Sequence, residues 1–243
     1  MNASVRTIVF VGALGFGVFF APAASLRAQE NETPTLRAVR EEVTDKNIEK
    51  TKVLGNTFNK EFTDSVHKDG YLVGFDFGVG SDPFNRQMIY GIKPVYMTAH
   101  GAIVDKAVGA FELPRNREGR RIKTVTVMAK RGYAVSGITL KSGLWIDAVK
   151  VKFAKVEVDH LDMEDTYEGD WFGNLGGGGK SEITTDGQLA VGLSTYVEQD
   201  HCAAIGLIHL TIGKPAVGNP AADDKPAPGK PAIGKPRAVR PKR

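Results

Sequence analysis

The stretch Trp171-Phe172-Gly173-Asn174-Leu175 leads into four consecutive glycines, Gly176 to Gly179, and then into Lys180-Ser181-Glu182-Ile183. Glycine loses more backbone freedom on ordering than any other residue, so such a run in a folded domain points to a purpose. Bare backbone suits a phosphate cradle, a sugar-binding loop, or a plain turn. The phosphate cradle fails on spacing. It needs a glycine, four residues, then Gly-Lys-Ser or Gly-Lys-Thr, with a strand before and a helix after. Gly179, Lys180 and Ser181 supply the ending, but Asn174 stands where the first glycine must. The β-branched Ile183, Thr184 and Thr185 that follow read as strand.

Other constellations exclude more than they offer. The acidic run from Asp159 to Asp165 lacks the glycine and closing glutamate of a calcium-binding helical hand, and reads as a solvated loop. His201 and Cys202 are neighbours on a strand-like run, point to opposite faces and cannot chelate together. Asp147, Asp170 and Glu182 are carboxylates in one region, but glycoside hydrolysis needs a pair at a defined separation, and the sequence nominates none. No nucleophile stands beside a base. The expectation is a protein without metal or cofactor that is not an enzyme.

The elements that must carry the glycine loop lie in the middle of the 243-residue chain. Residues 1–25 read as a secretory signal peptide: Arg6, an apolar run shorter than the ~20 residues of a membrane span, and a cleavage site at Ala21-Pro22-Ala23 or after Ser25. This places the mature chain outside the cell, in the periplasm or in the cell envelope. Residues 26–54 are charged and read as a polar linker, with a short helix near Leu36. Residues 214–243 are rich in proline, glycine and lysine, with near-copies GKPAVGNP and GKPAIGKP, and read as a disordered basic tail. The tail carries eight basic and two acidic residues, +6 net, against +4 for the whole chain, which leaves −2 for everything before it. The basic pI belongs to the tail and says nothing about a basic face on the domain, for which no nucleic-acid partner is expected; the tail is either a contact for an anionic envelope polymer or a solvated linker. Cys202 is the only cysteine, sits in an apolar run and is expected as a buried thiol.

Residues 55–213 change character. Strand-like runs alternate with turn residues, and no helical period appears. Three segments look alike. YLVGFDFG begins at Tyr71 and is followed by MIYGIKPVYMT; YAVSGITLKSG begins at Tyr133 and is followed by WIDAVKVKFAKV; LAVGLSTYV begins at Leu189 and is followed by CAAIGLIHL. Each is a strand, a short loop and a second strand. Further strand-like sequence precedes each: GNTFNKEFTDS, RRIKTVTVMA and SEITT. Three units, none able to bury its apolar face alone, imply small sheets packed around a shared axis.

From Gly132 to Leu210 the sequence resembles the jacalin-type lectins, with a motif layout like that of the mannose-binding banana lectin. Gly143-Leu144-Trp145-Ile146-Asp147 matches the family's G-x-x-x-D loop between two strands, and GNLGGGGKSEI matches the glycine-rich loop of the same unit. The resemblance implies an all-β fold, the β-prism I, with three Greek-key sheets in pseudo-threefold symmetry. It implies a metal-independent sugar site made of Gly143, Leu144, Trp145, Ile146, Asp147, Gly177, Gly178 and Gly179. There the Asp147 carboxylate would accept sugar hydroxyls, Trp145 would meet the C–H face, and Gly177 to Gly179 would let a ligand touch backbone.

Where the third unit should carry the motif, Gln199 replaces the glycine and Ala203 the aspartate; in the first unit the aspartate position falls near Tyr90. One intact site for a mannose- or galactose-type glycan implies affinity of about millimolar, useful only with several copies held together in an oligomer. The same residues also suit two plainer roles. Asp147 can cap a turn, and the module can be structural or protein-binding without sugar.

Overall fold

The computed structural model describes residues 32–58, 60–82, 84–112 and 121–212. The expected signal peptide and basic tail lie outside them. In chain order the elements are helix α1 (Pro34–Thr44) and strands β1 (Ile48–Lys50), β2 (Leu54–Gly55), β3 (Glu61–Val66), β4 (Gly70–Ser81) and β5 (Gln87–Thr98). Next come β6 (Gly101–Val104), β7 (Val108–Gly109), β8 (Lys123–Met128), β9 (Tyr133–Ser142) and β10 (Ile146–Val156). The last are β11 (Leu161–Glu168), β12 (Phe172–Gly173), β13 (Gly179–Thr184), β14 (Ala190–Glu198) and β15 (His201–Leu210).

Three long antiparallel hairpins form the centres of three sheets: β4–β5, β9–β10 and β14–β15. The outer strand beside β5 is broken into β6 and β7, that beside β10 into β11 and β12, and that beside β15 into β1 and β2. On the other side β8 pairs with β4, β13 with β9 and β3 with β14. The spatial orders β6-β5-β4-β8 and β11-β10-β9-β13 are Greek keys, and β1-β15-β14-β3 repeats the pattern from the two ends of the chain. This is the β-prism I arrangement.

One expectation changes here. Residues 32–54 are part of the domain and not a linker. Thr33 caps α1 by accepting from the Leu36 amide at 3.3 Å, with Pro34 at the first helical position. Leu36 and Val39 are buried, and β1 pairs Ile48 with Leu210 and Lys50 with Ile208. The composition misled because a short helix and an edge strand bury only one face and keep the other charged. The strand preceding each hairpin belongs to the previous sheet: β8 pairs with β4 and not with β9, and β13 with β9 and not with β14. β3, which precedes the first hairpin, pairs with the last.

The core follows from the inward rows of the hairpins. Phe75, Phe77, Ile92, Ile138, Leu140, Val151, Phe153, Leu193 and Leu207 form one cluster about the axis. A second cluster closes the end away from the hairpin tips, where Val39 of α1 meets Val73, Ala134, Leu189, Ile208 and Leu210. All ten residues of β15 are buried, Cys202 among them, as the unbroken apolar run implied. Burial pushes the Cys202 thiol up to about 12.

Candidate carbohydrate site

The tip of the β9–β10 hairpin and the loop between β12 and β13 lie side by side, because β13 pairs with β9 in the register Gly179 to Ser142 and Lys180 to Lys141. Asp147 stands second in β10, between the buried Ile146 and Ala148, and its side chain is half-exposed. Its Oδ2 accepts a hydrogen bond from the Gly178 amide at 3.0 Å. Its backbone carbonyl accepts from the Asn174 amide at 2.8 Å. The glycine loop is folded on itself as well: Gly177 donates to the Asn174 carbonyl at 3.3 Å, and Gly176 to Asn174 Oδ1 at 3.0 Å. The Lys141 ammonium, from the neighbouring strand, holds the Leu175 carbonyl.

The reason for the glycines differs from the expected one at two positions. A Cβ on Gly177 would lie 2.5 Å from Asp147 Cβ and 2.6 Å from its Oδ2. A Cβ on Gly178 would run into the Ser142 carbonyl and stand 2.7 Å from the Gly143 amide nitrogen. The room left by the missing side chains is filled by the protein, so these glycines let two loops pack and not a ligand enter. Only Gly179 fits the expectation of open backbone: a Cβ there has nothing within 4 Å.

Trp145 also departs from its expected role. Its indole Nε1 donates to Glu198 Oε2 at 2.9 Å, and its ring stacks on His201 with centroids 4.6 Å apart. His201 in turn lies 4.3 Å from Tyr90. Trp145 thus ties the tip of one sheet to the other two. Lys60 reaches the same Glu198 oxygen at 2.5 Å, and the Lys60 and then the Trp145 hydrogen bonds hold the Glu198 carboxyl below its ordinary value. No sequence spacing pairs Trp145 with Glu198. The Gly143 amide is spent on the Trp145 carbonyl at 3.1 Å, and Ile146 is core. Leu144 and Leu175 are exposed on the two loops that flank Asp147.

Of the expected eight residues, then, the structure brings Asp147, Gly177 and Gly178 into contact, leaves Gly143, Leu144 and Gly179 exposed beside them, and directs Trp145 and Ile146 elsewhere. The other two tips are built differently. At β14–β15 only Gln199 and Asp200 separate the strands; Gln199 sits at φ 55°, and Ala203 is buried. At β4–β5 the buried Asp82 accepts from the amides of Phe84 (2.8 Å) and Arg86 (2.9 Å) and from Arg86 Nε (2.8 Å). Burial opposes the charge on Asp82, but the Arg86 and Phe84 hydrogen bonds outweigh it and lower its pKa. Among the described residues no group of three His, Cys, Asp or Glu side chains is placed to hold a metal.

No protein-family model and no curated protein matches the chain. Among solved structures it is similar to an artocarpin–mannotriose complex, at 11% identity over 67% of this chain and 97% of that one, with a TM-score of 0.49. It is similar to a mannose-specific jacalin-related lectin from Morus nigra in complex with mannose, at 13% identity over 68% and 95%, with a TM-score of 0.45. It is also similar to Calystegia sepium agglutinin, at 13% identity over 66% and 95%, with a TM-score of 0.49.

Proposed function

We propose that the protein is a carbohydrate-binding module that holds a neutral mannose- or galactose-type sugar at the seam of the Gly143–Asp147 and Asn174–Gly179 loops. The observation that carries this reading is the state of Asp147. Its carboxylate is half-exposed, has no ion-pair partner among the described residues, and is fixed through Oδ2 by the Gly178 amide. A fixed, unneutralised carboxylate at the surface is suited to accept paired hydroxyl hydrogens, at about 1.5–3 kcal/mol for each charge-assisted bond. The exposed Leu144 side chain offers a sugar's C–H face the apolar contact that Trp145 does not.

The test is a glycan array with the protein presented multivalently, beside Asp147→Ala. Binding to neutral hexose glycans that the variant loses supports the reading; equal binding by both proteins removes Asp147 from the site. Export is part of the proposal and is checked by sequencing the N-terminus of the mature protein. A second reading, a module for a protein partner, is favoured by the exposure of Leu144 and Leu175 together on the same two loops. It predicts that Leu144→Ser weakens partner capture while the array stays blank.

A further inference from the structure

A cavity of about 300 Å³ lies at the hairpin-tip end of the molecule, where the sheet of β4 and β8 meets β12 of the next sheet. Asp147 is not among its walls. Arg121, Lys123, Ser81, Gln87, Trp171 and Phe172 line it.

The position of Lys123 is unusual. The register places Lys123 opposite Val79, Val125 opposite Phe77 and Val127 opposite Phe75. Directly paired residues share a face, so Lys123 continues the inward, core-forming row of β8. Arg121 lies two residues before it. Where the core opens to solvent, the inward row therefore changes from valine to lysine, and Arg121, just before β8, lines the same cavity. Both are exposed, neither forms an ion pair among the described residues, and no carboxylate is among the described lining residues. Two like charges on the wall of one cavity repel each other, and an anion between them relieves this. The opposite wall is aromatic. Trp171 and Phe172 are half-exposed, and Lys150, itself paired with Glu168, lies over the Trp171 ring at 5.4 Å. Ser81 and Gln87 add neutral hydrogen-bonding groups.

Cations on one wall, indole and phenyl rings on the other and polar groups between them suit a small ring with an apolar face, several hydroxyls and one negative charge. The volume lies at the small end of ligand pockets and limits the occupant to about one monosaccharide. We propose that this cavity is a second binding site, separate from the Asp147 seam, that takes an acidic pyranose of the uronic acid type. Arg121 and Lys123 hold its carboxylate, and Trp171 and Phe172 meet its ring. The site does not depend on the neutral-sugar reading.

The experiment is calorimetric and NMR titration of the full chain with sodium glucuronate, with methyl mannoside and sodium acetate as controls. The proposal expects glucuronate to bind with a Kd of about millimolar and acetate not measurably. Arg121→Gln/Lys123→Gln should weaken glucuronate about tenfold or more and Trp171→Ala about threefold or more, while Asp147→Ala should leave it unchanged. The exposed Gln substitutions should leave the thermal midpoint in place, so loss of binding reports on the site and not on the fold. Failure of the wild-type chain to bind glucuronate overturns the proposal, as does full binding by the double variant. Equal binding of acetate, indifferent to Trp171→Ala, also overturns it by reducing the cavity to an unspecific cationic patch. Loss of methyl mannoside binding in Asp147→Ala is read separately and bears only on the seam.

Discussion

Replacing each of the three glycines by alanine separates the two reasons for a glycine run. In Gly178→Ala the new methyl meets the Ser142 carbonyl and the Gly143 amide, both backbone within a turn that pairing with β13 holds in place. Neither can move without breaking the hairpin tip, so the glycine loop must lift away, and the Gly178-to-Asp147 hydrogen bond goes with it. Overpacking of this kind costs about 1–3 kcal/mol. At about 2–4 °C per kcal/mol for a domain of this size, the thermal midpoint should fall by about 2–12 °C. In Gly177→Ala the Asp147 carboxylate can rotate away from the methyl, but Asp147 Cβ, 2.5 Å off, is fixed to β10, so the midpoint should also fall by about 2–12 °C and sugar binding should be lost. In Gly179→Ala the methyl meets nothing, and the midpoint should stay within about 1 °C. Differential scanning calorimetry on the three variants gives the order directly. A Gly178→Ala midpoint equal to wild type, or a Gly179→Ala midpoint that falls most, would refute the packing argument.

Three other outcomes are expected. Cys202, buried with its thiol raised to about 12, should resist aromatic disulfide reagents at pH 8 in the native protein and react fully in denaturant; native-state reaction within minutes would contradict its burial. Because the folded pKa of Glu198 lies below its unfolded value, its contribution to stability is present above the ordinary carboxylate range and is lost as pH falls through the folded value. In a Trp171→Phe background, Trp145 fluorescence should therefore change in acid below the ordinary carboxylate range, and Glu198→Gln should abolish that change. Val39→Ala should cost about 1–3 kcal/mol in urea unfolding, since the side chain is fully buried in the cluster that closes the prism; a change near zero would return residues 32–47 to the status of a linker.

The hairpins were legible because each is a local signal: an apolar strand, a short loop and a second strand, seen at Tyr71, Tyr133 and Leu189. Their partners were not. β3 pairs with β14 across most of the domain, as Ser194 with Asp64 shows, and nothing in either segment names the other. The first two strands escaped notice for a related reason. Ile48-Glu49-Lys50 has one apolar residue in three, and only its pairing with Ile208–Leu210 makes it a strand. The helix was readable in part, from Thr33-Pro34 as its start and Leu36, Val39 and Val43 at helical spacing. At the site the two loops touch through the Gly178 amide and Asp147, a meeting that the family resemblance implied and that no spacing in the sequence showed. The direction of Trp145 did not follow, because its partner Glu198 belongs to another sheet and only the fold brings them within 2.9 Å. A glycine run likewise does not say whether protein or ligand fills the space it leaves.

The central claim is that the seam between the two loops binds sugar. Titrating the isotopically labelled chain with methyl α-mannoside and methyl α-galactoside, and following the backbone amides by NMR, tests it directly. The account predicts saturable shifts confined to residues 143–147 and 174–180, absent in Asp147→Ala. Shifts elsewhere on the prism, or none with either sugar in a folded protein, would contradict it.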